Sequence, residues 1–267
     1  MADKQIRFEK VDGVGIITLD RAEARNALTP EMIAEMGEAI EACKRPDVRA
    51  VLLTGTGGAF CSGADVKYMV ETLKTGGAQG LYEYIHRLAG DLHTKVVLGL
   101  RRLEKPVVAG INGVAAGAGF SLMLGCDLRV AASSARFLMA YANIGATADG
   151  GSTYLLPRLV GSGRAMEIYL ASQPISAQAA LEMGLVNQVV ADEELHRHAM
   201  ETAVRLAQGP TVAYGRVKAL FDQSWDKDIA SQLDAETTAI ANSALTADFQ
   251  EGIKAFAERR QARFQGK

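Results

Sequence analysis

Cysteine is scarce in this chain: Cys43, Cys61 and Cys126 are the only three in 267 residues. An odd count without paired spacing excludes a disulfide scaffold and a cysteine-built zinc site, so all three read as reduced thiols. Cys126 lies in an apolar run and is expected in the core. Histidine is nearly as rare, at His86, His93, His196 and His198. All four fall on helical stretches with charged neighbours and read as solvated helix residues. His196 and His198 are two apart, which separates them on a helix, so no metal site is expected. No uninterrupted apolar run reaches the ~20 residues that span a bilayer. The stretch from Met1 to Gln5 carries no apolar signal region. Neither charge dominates: 29 Lys and Arg stand against 31 Asp and Glu. That balance speaks against a basic footprint for nucleic acid. The expectation is a cytoplasmic, soluble protein with no membrane and no nucleic-acid partner.

What is present points to a layered α/β fold. Hydrophobic residues make up 48% of the chain, enough for a large core. Ile6 to Lys10 and Val14 to Asp20 read as strands around the turn Asp12-Gly13. Thr29-Pro30 caps and starts a helix whose apolar side is Met32, Met36, Ala39, Ile40 and Cys43. Ala50 to Thr54 is a buried strand. A helix from about Ala64 is broken at Gly76-Gly77 and resumes to about Glu104, and Pro106 to Ile111 is the next strand. Asp127 to Ala131 and Ala135 to Met139 alternate as a strand pair. From Gly150 the pattern is almost all helix, and glycines thin out after Gly215. A boundary is placed at about Pro210, giving an α/β core over 1–209 and a helical region over 210–267.

Two glycine-bearing strand-to-helix junctions carry the chemistry. One is Ala59 to Lys67, with Gly63; the other is Asn112 to Phe120, with Gly117-Ala118-Gly119. Such a junction aims bare backbone N–H groups at one spot, which suits an oxygen that turns negative during a reaction. The second is not a dinucleotide fingerprint in spacing, and no Gly-Lys-Ser/Thr of a phosphate loop follows. Downstream, Asp149 stands alone among small residues before Gly150-Gly151. On the residues alone it reads first as an N-cap for the next helix, and second as an acid at the donor site.

The segments Ala59 to Val66, Lys105 to Gly113 leading into Gly117-Ala118-Gly119, Ile175 to Val186 and Glu251 to Arg260, in that order, resemble the crotonase (enoyl-CoA hydratase/isomerase) superfamily. The likeness covers almost the whole chain. It implies a crotonase-like spiral of β-β-α turns with a helical C-terminal region, over 210–267, that packs at a trimer interface and doubles to a hexamer in many members. It also implies acyl thioesters of coenzyme A as substrate, with CoA as the carrier and no permanently bound cofactor, in fatty acid or aromatic degradation. By motif, the oxyanion hole is the backbone N–H of Ala64 and Ala118. The CoA-binding set carried over is Arg25, Ala27, Ser62, Ala64, Asp65, Val66 and Lys67, and Tyr68 joins Ser121 and Tyr141 at the acyl pocket.

The resemblance also indicates which chemistry is missing. Hydratases of this family place glutamates at two positions that here hold Ser121 and Tyr141. Hydration needs one group to activate water and another to give a proton, and hydroxyls serve poorly near neutral pH. The Asp149 loop resembles that of phenylacetate-pathway epoxyphenylacetyl-CoA and enoyl-CoA isomerases, which implies an acyl-CoA isomerase with Asp149 as acid/base. Alternatives within the family are a hydratase-like lyase, a 4-chlorobenzoyl-CoA dehalogenase-like enzyme and an acyl-CoA hydrolase. The dehalogenase positions for histidine and tryptophan fall on Thr94 and Tyr141, and His93 is set aside because one residue turns a helical side chain by about 100°. Outside catalysis, a CoA-thioester-binding or RNA-binding crotonase-fold protein stays open.

Overall fold

The computed structural model describes residues 4–267. Strands β1 (Ile6–Val11) and β2 (Val14–Leu19) form an antiparallel hairpin, with Asp12 and Gly13 both at positive φ in the turn. Helix α1 (Pro30–Ala42) follows. The Thr29 hydroxyl accepts the Met32 N–H at 3.1 Å, Pro30 opens the first turn, and Met32, Ile33, Met36, Ala39 and Ile40 face the core. Next come β3 (Ala50–Gly55), β4 (Ala59–Cys61), α2 (Val66–Asp91), a π-helical turn (Leu92–Val97) and α3 (Leu98–Arg102). Gly77 leaves the helical region inside α2, at the predicted Gly76-Gly77 break. β5 (Val107–Ile111), β6 (Val114–Ala116) and α4 (Ala118–Leu124) follow, then β7 (Leu128–Ala132) and β8 (Arg136–Leu138). The remainder is α5 (Ser152–Val160), α6 (Ser162–Ala171), β9 (Ile175–Ser176), α7 (Ala177–Glu182), β10 (Gln188–Val190), α8 (Leu195–Ala207), α9 (Thr211–Gln223), α10 (Ile229–Ser243) and α11 (Ala247–Ala257).

The strands build two sheets. The larger runs β1-β2-β3-β5-β7-β10 and is parallel except for β1. The smaller runs β4-β6-β8-β9, with only β9 antiparallel. Successive turns of chain contribute one strand to each sheet, the crotonase-like spiral. Inner strands such as β5 are buried at every residue, as expected where helices cover a parallel sheet. Phe60, Phe120 and Phe137 are the bulkiest fully buried side chains.

Two expectations are corrected here. The segments at 127–131 and 135–139 are strands but not a pair: β7 lies between β5 and β10, and β8 between β6 and β9. Alternation is the same for a hairpin and for a chain that turns a corner into another sheet. Asp192 fixes the corner by accepting from the Ser133 hydroxyl at 2.8 Å and the Ser134 N–H at 2.9 Å. Beyond Gly150 the chain also returns two short strands, β9 and β10, which hold the edges of the two sheets.

All three cysteines are free and buried. Burial pushes the Cys43, Cys61 and Cys126 thiols up to about 12. The folded state therefore disfavours thiolate. Its stability is full below the ordinary thiol value of 9.0 and falls as pH climbs toward 12. A thiol reagent at pH 8 is expected to leave the native protein unmodified and to label all three cysteines after unfolding. Stoichiometric labelling of the native protein would contradict this burial.

Candidate active site

β4 and β6 are parallel neighbours, with Ala59 opposite Val114 and Cys61 opposite Ala115. Being parallel, they finish at the same end of the smaller sheet, so both glycine junctions emerge side by side. Gly63 turns the first at φ +101°, and Gly117 turns the second at φ +51°. Their approach is tight: a Cβ on Gly63 would lie 2.9 Å from the Ala116 carbonyl oxygen and 3.4 Å from the Ala118 nitrogen. The Leu28 N–H donates to Gly63 at 2.8 Å, and the Asp65 N–H donates to Leu28 at 3.0 Å. That bridge skips the Ala64 N–H, which has no backbone acceptor among the described residues. Ala118 is the first residue of α4, where no preceding turn exists to accept its N–H. Both predicted donors are thus unpaired at one end of this sheet.

The third component enters from β8, whose Leu138 carbonyl accepts the Gly117 N–H at 2.9 Å. The chain then passes Tyr141 and reaches Asp149-Gly150-Gly151, both glycines at positive φ. Asp149 does not cap the following helix. Gly151 holds the cap position of α5 and makes no side-chain cap bond. The Asp149 backbone is nonetheless held fast: its carbonyl accepts the hydroxyls of Ser121 and Ser152, each at 2.7 Å. Gly150 is pressed on Ser121 so closely that a Cβ on it would lie 2.7 Å from the Ser121 Cβ. Ser121 sits on α4 one turn after Ala118, about 4.5 Å along the axis. One short helix therefore links a donor to the acid.

Ser121 is fully buried, and its Oγ lies 2.8 Å from the Tyr141 Oη. Burial pushes the Tyr141 phenol up, so it stays neutral across the ordinary working range. The Asp149 carboxylate meets His93: Oδ1 contacts the His93 Nε2, and the Gly150 N–H lies 2.6 Å from Oδ1 and 3.3 Å from Nε2.

His93 is a helix residue, as read from the sequence, with its side chain 43% exposed, but this contact corrects the expectation that its ring is turned away from Asp149. Extrapolating 100° per residue from Thr94 assumes a continuous α-helix. The turn from Leu92 to Val97 is π-helical, with i→i+5 bonds, so an additional residue is accommodated and the phase slips. Thr94 instead faces out and donates its hydroxyl to the Gly90 carbonyl at 2.8 Å. The buried positions Leu92, Val96, Val97 and Leu100 keep an α-like spacing, so nothing in the apolar pattern signals the slip. His86 and His196 are exposed, and His198 lies beside Glu194 at 3.8 Å.

The CoA-binding set falls in one patch at the start of α2. The Ser62 N–H donates to the Arg25 carbonyl at 3.0 Å, which joins Arg25 and Ala27 to the Ser62–Lys67 segment. Arg25, Val66 and Lys67 are exposed, and the Ala27 side chain is buried. Asp65 faces inward: its carboxylate caps α2 through the Lys67 N–H at 3.0 Å and pairs with Arg21 at 2.8 Å. Its side chain is therefore engaged by the protein itself, which sequence reasoning did not anticipate. Tyr68 is exposed on α2 and stacks on Tyr84, with ring centroids 6.4 Å apart, rather than on Ser121 or Tyr141. Among the described residues, no three His, Cys, Asp or Glu side chains gather as a metal-sized cluster, and no helix is long and apolar enough to cross a membrane.

Known proteins resemble this chain over nearly its whole length. The family model described as Enoyl-CoA hydratase/isomerase matches residues 9–267. The 1,2-epoxyphenylacetyl-CoA isomerase of Escherichia coli is 39% identical over 256 residues, covering 96% of each chain. The crotonyl-CoA hydratase of Syntrophomonas wolfei is 35% identical over 266 residues, covering 99% of each. The crystal structure of an enoyl-CoA hydratase from Bacillus anthracis superposes with a TM-score of 0.91 at 32% identity, over 98% of this chain and 100% of that one. Spiral, paired junctions and sequence agree: the chain belongs to the enoyl-CoA hydratase/isomerase family.

Proposed function

We propose that the protein is an acyl-CoA isomerase, moving a proton in double-bond or ring-epoxide isomerisation through an oxyanion-stabilised thioester enolate, with Asp149 as acid/base. The observation that carries this reading is the bond between Ser121 and Tyr141. The two positions expected to hold a hydratase's glutamates carry hydroxyls, the Tyr141 O–H donating to the Ser121 Oγ while Ser121 donates to the Asp149 carbonyl, and Asp149 is left as the carboxylate tied to α4. In this reading the thioester oxygen lies between the N–H groups of Ala64 and Ala118. Each such donor typically contributes about 2.7–4 kcal/mol to an oxyanion. Asp149 takes a proton from the carbon acidified by the enolate and returns it at another carbon, so one carboxylate is enough. Arg25 and Lys67, exposed in the patch beside Ala64, are the cations for the CoA phosphates. The helical region over 210–267 would form the trimer, itself doubled in a hexamer. Support comes from apolar side chains it leaves in the open, among them Ile229, Ile240, Leu245 and Phe256.

A second reading has an observation of its own. The His93 contact makes Asp149 half of an acid–imidazole pair, an arrangement suited to a carboxylate nucleophile or a water-orienting base in dehalogenation or thioester hydrolysis. One panel assay separates the classes. Purified protein is given 3-enoyl-, 2-enoyl-, ring-epoxide and 4-chlorobenzoyl-CoA, and the products are separated by chromatography and identified by mass spectrometry, so that an isomer is told from unreacted substrate by its retention. An isomer of unchanged mass is expected. A water adduct, chloride release or free CoA as the main outcome would overturn the isomerase reading.

A further inference from the structure

The His93–Asp149 contact requires a proton between two atoms that otherwise offer only lone pairs. With Asp149 ionised as a base it has no proton to give, so the proton sits on Nε2; the Gly150 N–H, 2.6 Å from Oδ1 and 3.3 Å from Nε2, then donates to Oδ1 and finds no lone pair on the ring nitrogen. Oδ1 then receives two donors, the His93 Nε2–H and the Gly150 N–H. Oδ2 has no partner among the described residues. The backbone beneath is fixed by Ser121 and Ser152 at the Asp149 carbonyl, so rotation of the carboxyl is the remaining freedom, and His93 restrains it. The Gly150 N–H alone belongs to the adjacent residue and turns with the same segment.

Resting on the isomerase reading, we infer that His93 is the positioning residue of the acid: it holds Oδ1 so that Oδ2 is the one atom that accepts the substrate proton and hands the same proton back. As the substrate C–H bond breaks, its electron pair moves into the thioester enolate and the proton bonds to Oδ2. The O–H bond then breaks as a C–H bond forms at the second carbon and the thioester carbonyl re-forms. The imidazole keeps its Nε2 proton throughout, and no proton enters or leaves. Without His93 the carboxyl turns. Solvent already reaches the Asp149 side chain, 31% exposed with His93 in place, so a carboxyl free to turn swings its proton-bearing oxygen toward water and the proton exchanges before it is returned.

The test is isomerisation of a 3-enoyl-CoA in D2O by the wild type, His93→Phe and His93→Gln, following kcat, KM and deuterium in the product. The wild type is expected to retain protium. His93→Phe, lacking a donor to a charged acceptor, is expected to lose about 10- to 100-fold in kcat with KM unchanged and to gain deuterium. His93→Gln, which keeps an N–H donor, is expected to restore most of both. Equal rate and label in the wild type and His93→Phe overturn the inference. So does a fully deuterated wild-type product, while the isomerase reading then stands. A rate lost in both variants with protium still retained marks a merely structural role and also overturns it. If the wild type yields no isomer, the isomerase reading itself fails and the inference falls with it.

Discussion

Asp149→Asn abolishes turnover and leaves the protein otherwise intact. The expected loss in kcat on a 3-enoyl-CoA is about 1,000-fold or more, toward the upper range for removing a general acid–base group. Asparagine has the shape of aspartate but accepts no proton near neutral pH. What anchors the loop is the Asp149 carbonyl, through Ser121 and Ser152, and the substitution keeps it. The amide oxygen still accepts from the His93 Nε2–H. CoA-thioester affinity, measured by calorimetry, and the melting temperature are therefore expected to stay at wild-type values. A variant that isomerises at the wild-type rate removes Asp149 from the mechanism. A variant that no longer binds CoA thioesters moves it from chemistry to binding.

Gly119→Ala is expected to be as damaging to the fold as Asp149→Asn is to the chemistry. A Cβ at 119 would lie 2.1 Å from the Cys61 carbonyl oxygen and 2.7 Å from its carbonyl carbon. These are backbone atoms of β4 and cannot rotate away, so α4 must lift from the sheet. The lift carries the Ala118 N–H away from Ala64 and Ser121 away from the Asp149 carbonyl. Overpacking of this kind costs about 3 kcal/mol or more, a melting temperature lower by roughly 6–12 °C at this size, with activity lost in parallel. Gly163→Ala is the control: it lies on α6, and no atom comes within 4 Å of the added carbon. There alanine is expected to be neutral, or to stabilise by about 0.5–1 kcal/mol. Equal melting temperatures for the two variants would show that the Gly119 contact is not tight.

Much of this molecule is legible in its sequence because local chemistry and long-range packing agree. Thr29-Pro30 marks a helix start wherever it lands, and α1 begins there. Glycine at 63, 117 and 119 announces junctions because only glycine tolerates those angles and approaches. Asp149 is legible as an acid only through the family likeness; by itself it passes for a cap. Three features escape. The strands flanking Ser133-Ser134 give no local sign of entering different sheets, since their partners are remote in sequence. Asp65 resembles a ligand residue until Arg21, 44 positions earlier, is seen to pair with it. His93 is hidden by the phase of a helix, which periodicity assumes and does not measure.

A π turn holds one residue more than an α turn between the same flanking packing positions. The faces of α2 and α3 that bury Tyr84, Leu88 and Leu100 can therefore stay in register while the length between them changes by one. A single codon gained or lost in the stretch from Leu92 to Val97 would exchange which side chain meets the acid, with the helices on either side left where they are. An indel of one residue, rather than a substitution, is thus a short route by which an imidazole could be gained or lost opposite this acid.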